Sequence, residues 1–443
     1  MTGDGPRVFT LNPHALARIK AAIQSGDDRY RAALDRLARE TGSSLRVRPV
    51  SVMDKSQTPP SGDRHDYMSL APYWWPDPDT PDGLPYIRRD GERNPELASI
   101  SDRSNLGTMV STVATLALAS YYIGNAEAAT HAALLLRIWF LNPATRMNPN
   151  LEYAQAIKGR NIGRGIGMIE TGVFGDLVDS IGLLAESRAW SAADQRGMRD
   201  WFARFLDWAR TSAHGIEEAQ AANNHGSWYA VQTAALALFT DETALATEIL
   251  AAVPDRMRSQ ITADGNQPLE TARTRSWHYS QFNLLALGKL AALGERVGMD
   301  LWRYQPPDGS GLRTALDYLA GYASDPDRWP YQEITVWENG QLIEILYQAA
   351  GVYADDDYFR LAVRLAGPDA WSERHVLRYA LPDYLPVERE EHASAPCPTH
   401  GATTNCTHSL TPSRDVPIMP STVEVSHTVS LRRKDRRQSP HRR

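Results

Sequence analysis

Cysteine and phenylalanine are scarce in this sequence, and both shortages narrow the class of protein. Only Cys397 and Cys406 occur in 443 residues, and both lie near the C-terminal end, so no disulfide framework holds the main body. Eight phenylalanines stand against 12 tryptophans and 18 tyrosines, which means that most aromatic rings carry a polar edge. Such rings suit a hydrated groove, and the bias hints at stacking against sugars.

Positive charge and long apolar runs are also lacking. The net charge of −6 gives none of the basic excess that is typical of nucleic-acid binders, so we expect no nucleic-acid partner. No basic segment followed by an apolar run begins the chain, so we expect no secretory signal in it, and the localisation stays unknown. The longest uncharged stretch, residues 104–126, contains many Ser and Thr and predicts a buried inner helix rather than a membrane span.

Apolar residues at helical spacing dominate the chain, first in a helical pair at 12–42 and then from 104 to 366 with short polar breaks. No segment alternates as a strand would. We therefore predict an all-α fold in which successive helices pack antiparallel. The predicted helices of the second region are 104–123, 126–140, 168–186, 191–212, 224–239, 241–252, 278–296, 312–323, 333–353 and 356–365.

Residues 47–103 interrupt this pattern with a long segment that is dense in Pro, Asp and aromatics, called the aromatic loop below. A loop of this length in a compact body is usually functional or disordered, and its aromatics argue against disorder. Its acidic residues Asp77, Asp79 and Asp82 do not fit a calcium loop, because the prolines and the missing Glu break that pattern. We expect a Pro-rich turn there.

We predict two domains, a folded body at 1–390 and a disordered basic tail at 391–443 that is rich in Ser, Thr and Pro. Residues 393–443 have no aromatic residue, and they hold eight Lys and Arg against three acidic residues. The fragments CPTH and CTH there resemble zinc-ligand spacing, but they lack an apolar core, so we expect no metal site.

Two blocks carry residues suited to chemistry. Asn223, Asn224 and His225 open an apolar helix, where free N–H groups and the helix dipole favour a carboxylate; the alternative is a simple N-cap with a surface histidine. In PLETARTRSWHY, the i,i+4 rule places Tyr279 beside Arg275, and Arg273 beside Trp277. A neighbouring arginine lowers a tyrosine pKa and prepares it as a base. The alternative is a surface arginine pair with a core tyrosine.

Four blocks of this sequence resemble the alginate lyase family of polysaccharide lyases and occur in the order that this family has. The resemblance spans roughly residues 8–385. They are the AsnAsnHis block, the block ending in His278-Tyr279, the loop with His65-Asp66-Tyr67 and Pro72-Tyr73-Trp74-Trp75-Pro76, and the stretch from Gly159-Arg160-Asn161 to Arg164-Gly165. The resemblance implies an (α/α) toroid, that is, an incomplete α/α barrel, with the aromatic loop as a lid. It also implies β-elimination at a 4-linked uronic acid without a cofactor.

Carried over by residue, the resemblance makes Asn224 the group that neutralises the uronate carboxylate beside His225, with Asn223 as a second amide. Tyr279 becomes the base or acid at the glycosidic bond. Arg273 and Arg275 compete for the arginine of the site, and we favour Arg273. The remaining substrate contacts are His65, Tyr67, Tyr73, Trp74 and Trp75 on the lid or groove wall, together with Arg160, Arg164, Arg275 and His278.

The chemistry agrees with these residue types. Removing H5 next to a carboxylate requires that the carboxyl group be neutralised, which amides and an arginine can do. A base must take H5 and an acid must protonate O4, tasks that a Tyr, or a His and Tyr pair, can share. The alternatives are an (α/α) glycoside hydrolase, which needs two acids where Glu270 is the only one nearby, and a non-catalytic polysaccharide-binding protein. We expect a monomer with an acidic polysaccharide as its partner, and no membrane.

Overall fold

A computed structural model describes residues 5–379 and 381 of the chain. The described residues form sixteen α-helices, α1 to α16 in chain order, at Pro13–Gln24, Arg31–Ser44, Asp102–Ile123, Ala126–Leu136, Phe174–Leu184, Ala192–Thr211, Ala213–Ala219, Asn224–Phe239, Thr243–Ala251, Val253–Gln260, Pro268–Thr271, Ser276–Arg296, Leu312–Ala320, Gly340–Tyr353, Asp356–Ala366 and His375–Arg378. The prediction of an all-α class is confirmed. The predicted tail at 391–443 and both cysteines lie outside the described residues.

The helices form an inner and an outer layer. Helices α3, α5, α8, α12 and α14 pack side by side in this order, and α4, α9, α13 and α15 lie against them on the outside. The inner helices α3, α8 and α12 are buried on almost every face because most of their positions are apolar or small, and their few charged residues lie mainly at the helix ends. The outer helix α15 instead has one apolar side. This arrangement of inner and outer helices is the predicted toroid.

Helix α3 is long and apolar enough to cross a membrane by length and composition alone. Within the fold, 72% of its most apolar window is buried against other parts of the protein. That packing accounts for its apolar composition and agrees with the inner helix predicted for residues 104–123.

Two predicted helices begin later than expected. Helix α5 begins at Phe174 rather than 168, since a 3-10 helix occupies Gly165–Thr171. This segment packs closely on β4, because a Cβ atom on Gly167 would lie only 2.5 Å from the Ala154 side chain. Helix α14 begins at Gly340 rather than 333. The residues before it run along the segment that precedes α12, and Ile334 donates its backbone N–H to the Thr274 carbonyl.

Four short strands, which the sequence pattern did not predict, anchor the aromatic loop. Strand β1 (Met68–Leu70) pairs in parallel with β4 (Tyr153–Ala156), and β2 (Trp74–Trp75) pairs antiparallel with β3 (Ile87–Arg88). Strands of two to four residues are too short to show an alternating pattern. The pairing gives the aromatic loop a defined course over the helical body.

Candidate active site

Helix α8 begins at Asn224, with Asn223 in the extended conformation of an N-cap. The Asn223 side chain makes no capping hydrogen bond, so the simple cap is not what the structure shows. Asn224 is 1% exposed, and it donates its backbone N–H and its side-chain Nδ2 to the two carboxylate oxygens of Glu270, at 2.7 and 2.6 Å. A carboxylate from α11 thus holds the first residue of α8.

His225 is fixed by a second glutamate. Its Nδ1 lies 2.7 Å from an oxygen of Glu218, a residue of α7 that is 1% exposed. Because a carboxylate only accepts, Nδ1 of the neutral ring carries the hydrogen and Nε2 keeps its lone pair. The loop between α7 and α8 is tied down as well, since Arg256 donates to the Ala221 carbonyl and Gln260 to that of Ala222.

Tyr279 lies in the first turn of α12 and is 7% exposed. Its hydroxyl is 2.6 Å from the hydroxyl of Tyr73, a residue of the aromatic loop. The Arg273 guanidinium lies 4.1 Å from the centre of the Tyr279 ring, and that of Arg275 lies at 6.0 Å. Arg275 also donates to the Tyr73 hydroxyl at 3.3 Å. Two tyrosines and two arginines therefore form one cluster.

Two expectations about this cluster are wrong. Arg273 lies over Tyr279 instead of beside Trp277, because helix α12 begins only at Ser276 and the residues before it do not follow helical spacing. The pKa of Tyr279 is raised rather than lowered. Burial and the neighbouring Tyr73 raise it by more than Arg273 and Arg275 lower it, so the buried phenol keeps its proton in the free protein.

Arg273 is already paired with a carboxylate of the aromatic loop. Its Nη2 and Nε donate to the two oxygens of Asp90 at 2.7 and 3.1 Å. Burial raises the pKa of Asp90, but the hydrogen bonds and charge of Arg273, helped by Arg88, outweigh burial and bring that pKa to about 2. The pair joins the loop to the Tyr279 cluster at a second point besides Tyr73.

The two tryptophans of β2 are half-buried, and each carries an arginine on its ring. Arg160 lies 5.0 Å from the ring centre of Trp74, and Arg89 lies 5.1 Å from that of Trp75. Such pairs join a flat apolar face to a positive charge, the two features that an acidic sugar requires.

A family model described as alginate lyase matches residues 51–329. The alginate lyase from Bacteroides ovatus is 38% identical to this chain, and the match covers 85% of this chain and 100% of that one with a TM-score of 0.81. This chain belongs to the alginate lyase family. It is a polysaccharide lyase, as the four sequence blocks predicted.

More distant members of the alginate lyase family share the fold. Alginate lyase A1-III from Sphingomonas species A1 is 15% identical, with 86% of this chain and 97% of that chain covered at a TM-score of 0.56. A variant of A1-III bound to a tetrasaccharide is 17% identical, with 80% and 91% covered at a TM-score of 0.53. No curated protein sequence matches this chain significantly.

Of the residues assigned to the lyase lid, Tyr67 is the clearest departure from expectation. It is fully buried, and its hydroxyl donates to Glu170 at 2.7 Å. A ring without exposed surface cannot stack on a sugar, so we leave Tyr67 out of the proposed site. His65 keeps its imidazole against the backbone of the same region, with Nδ1 2.6 Å from the Arg146 carbonyl.

The other predicted contacts of the lyase differ in their surroundings. Arg164 donates to the carbonyl and side chain of Gln155 and so braces β4. Arg160 combines its position over Trp74 with a hydrogen bond to the Tyr86 carbonyl. The His278 ring stacks on Phe282, and burial together with nearby arginines lowers the pKa of His278 to about 3, so its imidazole is neutral.

Three carboxylates that hold the lyase residues in place, those of Glu218, Glu270 and Asp90, are not predicted from the sequence in this role. Only Glu270 stands out there, as an acid near the motifs. Each contacts its partner from a different element, so residue spacing along the chain gives no signal of the pairing. Among residues 5–379 and 381, no three His, Cys, Asp or Glu side chains cluster as metal ligands. Asp77 and Asp82 accept backbone N–H groups of their own turns.

Proposed function

We propose that this lyase cleaves a 4-linked uronic-acid polymer, alginate or glucuronan, by β-elimination. The observation that supports this best is the position of Glu270. Its carboxylate binds Asn224, the residue before His225, and is near enough to Arg273 for that charge to lower the pKa of Glu270. The amide, the imidazole and the arginine, which is stacked on Tyr279, therefore belong to one site.

In this proposal, Asn224 and Arg273 neutralise the carboxylate next to C5. Electrons left by H5 spread onto that carboxyl group, so donors that are already in place stabilise the developing charge without reorganisation. Arg273 has to share its donors between Asp90 and the substrate, which means that the uronate carboxylate competes with Asp90. The related lyases named for alginate support an acidic polysaccharide as the substrate.

Proton transfer is divided between His225 and Tyr279. Tyr279 keeps its proton because its pKa is raised, and a protonated phenol can deliver it to O4 as the bond to the leaving sugar breaks. The Nε2 atom of His225 has a lone pair for H5 as long as Glu218 holds the hydrogen on Nδ1. Alternatively, Tyr279 serves both steps: it first releases its proton to solvent through the Tyr73 hydroxyl, then takes H5 as a phenolate and passes that proton to O4.

Glycoside hydrolysis is the weaker candidate because it needs two carboxyl groups that face the sugar. The carboxylates of the two glutamates near the site already bind protein groups, that of Glu218 the His225 ring and that of Glu270 the Asn224 amide. Neither is free to flank a glycosidic bond.

The test is incubation of the purified protein with alginate, polymannuronate, polyguluronate and glucuronan, while the ultraviolet absorbance of the new C4=C5 bond is followed. We expect products with a 4,5-unsaturated non-reducing end on at least one polymer. Oligosaccharides that are heavier by one water, without any gain in absorbance, would instead indicate hydrolysis. Binding without either product would identify a carbohydrate-binding protein.

The proposal assigns charge neutralisation to Asn224 and Arg273, and it needs no metal ion. We therefore expect turnover to survive treatment with EDTA followed by desalting. The check is the same absorbance assay before and after treatment. Loss of turnover that calcium or zinc restores would contradict the assignment.

A further inference from the structure

Glu270 is the hydrogen-bond partner of both the backbone and the side chain of Asn224. Its two oxygens receive the two hydrogen bonds of Asn224, one from the backbone and one from the side chain, and both residues are 1% exposed. We propose that Glu270 is a positioning residue of the lyase, which fixes the orientation of the Asn224 amide and its place relative to Arg273. This inference rests on the proposed function, since it concerns the group that binds the uronate carboxylate.

The charge state of Glu270 decides which end of the amide faces it. An ionised carboxylate has only acceptors, so the Nδ2 end of Asn224 must turn toward it. The Oδ1 atom of Asn224 is buried and has no hydrogen-bond partner among the described residues, so no other contact there selects the orientation. Nδ2 has a second hydrogen that this contact does not use, and the proposed function assigns it to the substrate carboxylate.

The chain also links Glu270 to the arginine of the site. Arg273 follows three residues later, and its backbone N–H donates to the Glu270 carbonyl at 3.1 Å. One short segment therefore holds Asn224 at its beginning and places Arg273 over the Tyr279 ring at its end. Direct contact of Glu270 with a uronate would be repulsive, which is why its role is to position Asn224 and not to bind the substrate.

The ionisation of Glu270 gives this role a measurable signature. Burial raises the pKa of Glu270, while the N–H groups of Asn224 and the charge of Arg273 lower it by less. When pH falls through this raised pKa, Glu270 gains a hydrogen that competes with Nδ2 of Asn224. The amide then loses its fixed orientation, so kcat should fall on the acid side of the profile.

The test compares Glu270→Gln with Asp179→Asn in the full chain. Asp179 is a buried carboxylate that accepts the backbone N–H groups of Phe9, Thr10 and Leu11 and contacts no candidate site residue, so it is a matched control. We expect Glu270→Gln to lower kcat by about 10- to 100-fold with KM little changed, because a small displacement of a reacting group costs rates of this order. Asp179→Asn should lower Tm and leave kcat unchanged.

A second readout is the pH profile of kcat. The introduced glutamine does not titrate, so the acid limb that Glu270 causes should disappear in Glu270→Gln, which a purely structural role would not produce. A folded Glu270→Gln enzyme with the wild-type kcat and acid limb would overturn the proposal.

If Glu270→Gln does not fold, Glu270→Asp decides, since it keeps the charge but shortens the side chain. A reduced kcat then supports the proposal, and an unchanged kcat overturns it. A wild-type protein that forms no unsaturated product refutes the proposed function itself, before any variant is made.

Discussion

Tyr279 keeps its proton more tightly than a free tyrosine does, although two arginines lie close to its ring. Burial removes the water that would stabilise a phenolate, and the Tyr73 hydroxyl adds to this effect. A group in this state is ready to donate a proton before it can accept one. The first chemical role of Tyr279 is therefore that of an acid.

Replacing Tyr279 with phenylalanine removes only the hydroxyl. We expect Tyr279→Phe to reduce kcat by about 10²-fold or more, the usual scale for a positioned acid or base, while KM changes little. The measurement is steady-state absorbance kinetics with circular dichroism as a check of folding. Tyr122→Phe is the control, since the Tyr122 hydroxyl donates to the Leu377 carbonyl of the helical body and should not affect kcat. A normal kcat in Tyr279→Phe would make Tyr279 a core residue.

Trp74 should contribute to binding rather than to chemistry. Its ring, with Arg160 beside it, offers a flat face that holds ground state and transition state alike. We expect Trp74→Ala to raise KM more than it lowers kcat, measured across a series of substrate concentrations. A selective loss of kcat would place Trp74 at the reacting bond.

The residue types of the site could be predicted from the sequence, but their environment could not. Asn224, His225 and Tyr279 stand in blocks with chemically suitable neighbours. The direction of the Tyr279 pKa depends on burial by the aromatic loop, which no local spacing reveals. The carboxylate that binds Arg273 comes from Asp90, 183 positions earlier in the chain.

At the scale of elements, the turn into α8 depends on a glycine. A Cβ atom on Gly226 would lie 2.0 Å from the Ala221 carbonyl oxygen and 2.5 Å from the Arg256 guanidinium. The loop before α8 can therefore close tightly on the helix only while residue 226 has no side chain. This closure sets where Asn224 and His225 point.

Gly226→Ala should be destabilising by about 1–3 kcal/mol, the usual cost of overpacking a filled site, and should also lower kcat because α8 shifts at its first turn. Chemical denaturation and the absorbance assay measure the two effects. Gly351→Ala on α14 is the matched control, because no atom beyond its chain neighbours and its own helix backbone lies within 4 Å of its Cβ position, and alanine is the better helix former. Equal stability of the two variants would show that the turn can relax.

The inner helices were the easiest elements to predict, and the strands the hardest. Helix α3 has no charged residue from Ser104 to its end, and most of this run is buried. Strand β1 is formed by hydrogen bonds to β4, which lies more than 80 residues later in the chain. Its local sequence therefore gives no sign of the pairing. Helix α14 was predicted too long because its preceding segment has apolar residues that pack beside α12 without being helical.

At the scale of the whole molecule, the predicted boundary between body and tail remains to be tested. Residues 393–443 have no aromatic residue and no helical period, so we expect them to be dispensable for folding. A chain that ends at Val387 should melt at the same temperature as the full chain in a calorimetric scan. A fall of many degrees would mean that the tail packs on the body.

The aromatic loop meets the Tyr279 cluster through two contacts, Tyr73 with Tyr279 and Asp90 with Arg273. Most units of a long polysaccharide cannot reach the site by threading from the chain end. The aromatic loop therefore has to move aside so that the strand can enter from its side. Once the loop closes again over a bound strand, sideways escape is blocked and sliding along the strand axis is the remaining movement. The lyase is then expected to act processively, cutting one strand several times while neighbouring strands stay intact.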